Sequence, residues 1–95
     1  MSAPRIVLDG ALRCRDEADA AAVRAHLAKH VRLTRAEPGC LAFAVDPTDD
    51  PLVWEVRERF ADAEAFAAHQ ARVRESEWGR ATAGIPRAYE VREER

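Results

Sequence analysis

Nowhere in the chain do roughly 18 apolar residues run together, the length a membrane-crossing helix needs, so no membrane partner is expected. The apolar start, Ile6-Val7-Leu8, is cut off by Asp9 and falls short of the about 7–15 residues of a signal-peptide core, which points to a cytoplasmic protein. An excess of one charge is also missing. Seventeen acids against fifteen bases leave a net charge of −2. Arginines alternate with acids, as in Arg57-Glu58-Arg59 and Arg92-Glu93-Glu94-Arg95, so positive potential is cancelled locally and no nucleic-acid partner is expected. Cys14 and Cys40 stand apart with no CxxC and no clustered histidine, which excludes a zinc pattern and a disulfide scaffold and leaves two small apolar thiols. What remains, 95 residues at 47% hydrophobic and 34% charged, suffices for one folded domain over residues 1–95.

Turn formers divide the chain into six elements. Pro4 to Arg13 alternates as a strand with Ile6, Leu8 and Leu12 on one face, and Gly10 reads as a bulge. Asp16 is an N-cap for a helix whose stripe is Ala20, Val23, Leu27, Val31 and Thr34 and which Pro38-Gly39 stops. Cys40 to Asp46 alternates with Leu41, Phe43 and Val45 on the large face and Cys40, Ala42 and Ala44 on the other. A Pro47–Pro51 hairpin loop leads into Leu52 to Phe60, with Trp54, Val56, Glu58 and Phe60 on its large face. Asp62 caps a second helix carrying Phe66 and Val73 and continuing, either unbroken or with a break, through Trp78, its tail weakened by Gly79 and Gly84, and Ile85 to Glu93 is the last strand, with Ile85, Tyr89 and Val91 inward.

The order β-α-β-β-α-β with right-handed crossovers gives an α+β, ferredoxin-like fold: a four-stranded antiparallel sheet with two helices on one face. The other face offers Val7, Ala11, Cys40, Ala42, Ala44, Val53 and Ala88, small apolar residues suited to close approach of a second copy, so a homodimer through the helix-free face is expected. The same order describes RNA-recognition modules, but no glycine–aromatic octamer on the central strands supports that reading.

Few residues carry chemistry. His26 and His30 lie four apart on the first helix, but no third ligand accompanies them, and neither a metal nor a cofactor is expected. His30 borders the helix stripe, and His69 borders that of Phe66 and Val73. Glu58 sits among the large residues of its strand, where an unpaired carboxylate is costly, so it finds a donor, holds its proton or lines a wet pocket. A Glu58–His69 pair serves either as a proton acceptor with its orienting partner or as a structural hydrogen bond tying the second helix to the sheet. Trp54, Trp78 and Tyr89 offer flat walls for a planar ligand.

The segment Glu37-Pro38-Gly39-Cys40-Leu41, the hairpin, then Glu58-Arg59-Phe60-Ala61-Asp62 and Phe66-Ala67-Ala68-His69 together resemble the antibiotic biosynthesis monooxygenase superfamily of dimeric α+β barrels. The resemblance implies a homodimer formed sheet to sheet, with a pocket in each subunit between sheet and helices. It implies a cofactor-independent monooxygenase acting on a quinol, phenolic or polyketide-type aromatic. His69 or His30 would be the base and Glu58 its orienter, with Trp54, Phe60, Phe66, Trp78 and Tyr89 as pocket walls. Phe60 stands where many members carry Trp. The haem-degrading branch is disfavoured, because the chain has no Asn and Ser76 to Ala83 holds no His. Two other activities fit the same fold, a non-enzymatic small-ligand-binding dimer and a proton-transfer isomerase.

Overall fold

The computed structural model describes residues 3–95. Its elements are β1 (Arg5–Arg13), α1 (Glu17–Arg35), β2 (Cys40–Pro47), β3 (Val53–Phe60), α2 (Ala63–Arg74), α3 (Glu77–Thr82) and β4 (Arg87–Glu94). The sheet runs β2-β3-β1-β4 with every neighbouring pair antiparallel, the ferredoxin-like arrangement expected from the element order. Both long helices start where their caps dictate. Asp16 accepts from the Asp19 N–H at 3.0 Å and Asp62 from the Ala65 N–H at 2.8 Å, satisfying donors that the first turn leaves open. Gly39 after α1 takes φ 84°, and a Cβ there would lie 2.6 Å from Ala65 Cβ, so the α1–β2 turn and the start of α2 meet only because the residue is glycine. No helix among the described residues is long and apolar enough to cross a membrane.

The core fills the space between sheet and helices. Leu8, Leu12, Phe43, Val45, Trp54 and Val56 from the strands pack with Ala20 and Val23 of α1, Trp78 of α3 and Ile85. Ile85 lies before β4 rather than within it, yet it is buried as the pattern implied. Val91 faces the helix side in register with Leu8 but remains 52% exposed, because it sits on an edge strand that no long helix covers.

Two local features depart from the sequence reading, and a third settles an alternative that it left open. Gly10 is not a bulge, since β1 keeps unbroken register with both neighbours; it is glycine because a Cβ would meet Ala88 O at 2.2 Å and the Tyr89 ring at 2.9 Å. The bulge is in β2, where Cys40 pairs with Phe60 and Ala42 with Arg59. The extra residue, Leu41, is left 53% exposed, and Cys40 turns to the helix side. The second helix takes the broken form of the two left open by the sequence. It breaks after Arg74, where Ser76 Oγ donates to Val73 O and accepts from Gly79 N–H, capping α3; a Cβ on Gly79 would stand 1.8 Å from Val73 O.

The helix-free face is less uniformly apolar than the small residues suggest. Val7, Ala42, Ala44 and Ala88 are joined there by Asp9, which meets Arg59 at 3.1 Å and Arg92 at 3.0 Å. Exposed pairs of this kind are worth about 0–1 kcal/mol each, so they organise the face more than they stabilise the chain.

Candidate active site

Strand alternation forces Glu58 inward. Trp54, Val56, Glu58 and Phe60 all face the helices, and Glu58 is 6% exposed with no hydrogen-bond partner for its Oε1. Burial, and then the negative charge of Glu37, push its pKa up to about 7, so protonated and ionised forms coexist near neutrality. His69 on α2 is 2% exposed, and its Nε2 lies 3.7 Å from Glu58 Oε1, within electrostatic reach but beyond a hydrogen bond.

The short partner of His69 is a different residue. Its Nδ1 stands 2.7 Å from Glu37 Oε1, and the same oxygen accepts from Arg72 Nη2 at 3.1 Å, while Arg72 also donates to Thr34 Oγ1 at 2.9 Å. Burial raises the Glu37 pKa, but the hydrogen bonds from Arg72 and His69 outweigh it and hold the carboxyl below its ordinary value. The His69 pKa is lowered by burial, against which the hydrogen bond to Glu37 works only in part. The 2.7 Å contact is therefore a neutral imidazole donating to a carboxylate rather than an ion pair. Nδ1 carries the proton, and the Nε2 lone pair is left facing Glu58.

Aromatic rings wall this row. Phe60 lies 4.8 Å from the His69 ring, Phe43 5.8 Å and His30 6.2 Å, and Phe66 packs on Phe60 at 5.6 Å. His30 stacks flat on Trp78 at 4.5 Å and 2°. Burial, then the neighbouring His69 and Arg72, push the His30 pKa down to about 3, which makes it a weak proton acceptor at neutral pH. Tyr89 lies over Gly10, across β1 and two register positions from Glu58; burial pushes its hydroxyl up to about 12, so it remains a donor.

Glu58, His69, Phe60, Phe66, His30 and Trp78 thus form one connected group, with Tyr89 at its border. Trp54 is not part of it. It stands four residues back along β3, about 13 Å from Glu58, on a separate groove lined by Arg24, Leu27 and Val45. Glu37, Arg72 and Thr34 have no chemical role in the sequence reading. The available signals were the Glu-Pro-Gly-Cys segment and the position of Arg72, three residues beyond His69 on the same helix face. Among the described residues no three His, Cys, Asp or Glu side chains are arranged to hold a metal.

The family model for antibiotic biosynthesis monooxygenase matches residues 6–78, most of the chain and all of the row just described. The chain belongs to the antibiotic biosynthesis monooxygenase family. No curated protein matches it at a significant level. Among solved structures, SnoaB, a cofactor-independent oxygenase from Streptomyces nogalater, superposes with a TM-score of 0.78 at 13% identity, covering 98% of this chain and 95% of its own. Protein SO0527 from Shewanella oneidensis gives 0.74 at 22% identity, covering 96% and 91%. Rv0793 from Mycobacterium tuberculosis gives 0.72 at 23%, covering 93% and 92%. At such identities the likeness establishes the shared fold.

Proposed function

We propose that this family member is a cofactor-independent monooxygenase acting, as a cytoplasmic homodimer, on a small quinol, phenolic or polyketide-type aromatic. The observation that carries the reading is the Glu37–His69–Glu58 row. In it a buried carboxyl with a free oxygen lies 3.7 Å from an imidazole nitrogen whose opposite nitrogen is already held. Such a row removes a proton from an acidic O–H or C–H, and the anion formed is electron-rich enough to reduce O₂. At a CH₂ group oxidised to a carbonyl, one oxygen atom enters the substrate and the other leaves as water, with all four electrons coming from the substrate. The protein supplies the base, dry aromatic surroundings and positioning. Glu37 acts through His69 as its orienter, the role the sequence reading gave to Glu58. His69 Nε2 takes the proton, and Glu58, 3.7 Å away, acts on it electrostatically.

Oxygen uptake with a panel of hydroquinones and anthrones tests this. Turnover should fall at least about 100-fold in His69→Ala, the usual scale of a lost general base. Turnover left intact by that change removes the base assignment. The close packing of Phe43 and Phe60 on His69 also favours a second reading, a ligand-binding dimer in which the row is structural. Saturable tryptophan quenching with no O₂ uptake across the panel would establish it. Substrate conversion under anaerobic conditions would establish the isomerase.

A further inference from the structure

Four buried polar atoms among the described residues lack a hydrogen-bond partner, and two of them, His30 Nδ1 and Arg72 Nε, belong to residues lining one cleft. Leaving a buried polar atom unpaired is costly, and native structures seldom do so. The cleft has a volume of about 270 Å³ and opens between α1 and the α2–α3 joint, walled also by Lys29, Leu33 and Trp78. Glu58 and His69 are not in its wall, so it is separate from the row behind it. His30, 5% exposed and stacked on Trp78, forms the partition between the two, with its ring 6.2 Å from that of His69.

The chemistry of the lining is specific. Arg72 spends Nη2 on Glu37 and Thr34, which fixes the guanidinium plane and leaves Nε–H as a pre-oriented donor. Lys29 and Arg80 add cations to the lining against the carboxylates of Glu75 and Glu77, with Lys29 paired to Glu77 at 2.7 Å, which leaves the cleft one positive charge in excess when Arg72 is counted. Leu33 is 41% exposed, unusual for so large an apolar side chain on a helix, and adds an apolar surface to the lining one turn along α1 from His30. Drug-sized ligands need about 300–1,000 Å³, so a cleft of this size takes something smaller, about one or two rings.

We propose that the α1/α2–α3 cleft is a binding site for a small planar organic anion, a one- or two-ring aromatic carboxylate or phenolate. Its oxygen accepts from Arg72 Nε–H, with His30 Nδ1 as a second polar contact and Leu33 and Trp78 against the ring. Neutral His30 makes this arrangement workable, since it contacts the ligand without adding a charge beside Arg72. The site goes beyond the reaction proposed above and does not depend on it, because binding here is read without turnover.

The test is a titration of the ¹⁵N-labelled full chain with 2-hydroxybenzoate, followed by NMR. Saturable shifts should appear at the Trp78 indole N–H, the Arg72 Nε–H and the Lys29 and Leu33 amides, with a dissociation constant of about 1 mM or tighter. The uncharged 2-hydroxybenzamide should bind at least about tenfold more weakly. Arg72→Gln should abolish binding, but it also frees Glu37, so Leu33→Glu and Leu33→Lys provide the decisive pair on an exposed position. Glu should weaken binding at least about tenfold and Lys should strengthen it. Equal affinity across wild type and both Leu33 variants overturns the proposal. So does equal binding of the amide, a failure to saturate, or shifts centred on Glu58 and Tyr89.

Discussion

Glu58 holds its proton to about pH 7, against an ordinary value of 4.5, and this has a measurable effect on stability. Between those two values the folded chain keeps a proton that the unfolded chain has already released, so stability falls as pH rises through the window. Each pH unit is worth about 1.36 kcal/mol, which makes the whole interval worth about 3 kcal/mol, a large share of the 5–15 kcal/mol typical of a domain. Glu58→Gln keeps the shape and removes the titration. Two histidines bend the wild-type curve the other way. His30 and His69 have lowered pKa values when folded, so they take up protons more readily in the unfolded chain. Their contribution is present above 6.5 and is lost as pH falls. Both remain in the variant, and the difference between the two proteins isolates Glu58. Urea denaturation from about pH 4.5 to about pH 8, at one fixed protein concentration so that any association contributes equally, should show Glu58→Gln gaining about 3 kcal/mol on the wild type. A difference that stays flat with pH would refute the argument, because it would mean that Glu58 is solvated or charge-paired.

Glu37→Gln removes the negative charge that raises the pKa of both His69 and Glu58, so both should move down in an NMR titration; movement of either upward contradicts the assigned row. Gly79→Ala places a Cβ against Val73 O and should cost at least about 2 kcal/mol in denaturation, whereas Gly84→Ala, which meets only the end of the exposed Arg15 side chain at 3.1 Å, should cost under about 0.5 kcal/mol. Light scattering at micromolar concentration should give twice the 10.6 kDa chain mass, and Ala44→Arg on the helix-free face should return it to the single-chain value; a wild-type protein already at that value ends the dimer proposal.

Much of the fold was legible because it rests on local signals. Alternation placed Trp54, Val56, Glu58 and Phe60 on one face, and Asp16 and Asp62 marked the helix starts through side-chain chemistry that acts within three residues. Burial of Glu58 followed from the same alternation, whereas His30 and His69, expected at the borders of their helix stripes, are buried more deeply than the stripe residues Leu27, Val31, Phe66 and Val73 beside them. The bulge at Leu41 escaped, because alternation assumes unbroken register and one extra residue exchanges the two faces of a strand.

Sequence alone thus determined the order of the elements, most of their inward faces and the burial of Glu58, since these depend on residue spacing along a single helix or strand. Only the tertiary structure decided what those groups meet. Glu37 reaches His69 across 32 residues and Arg72 reaches Glu37 across 35, contacts set by how α2 docks on the α1–β2 turn. That docking depends on the space left at Gly39 and on the rings packed around His69, and distances between elements are not encoded in the spacing within any one of them.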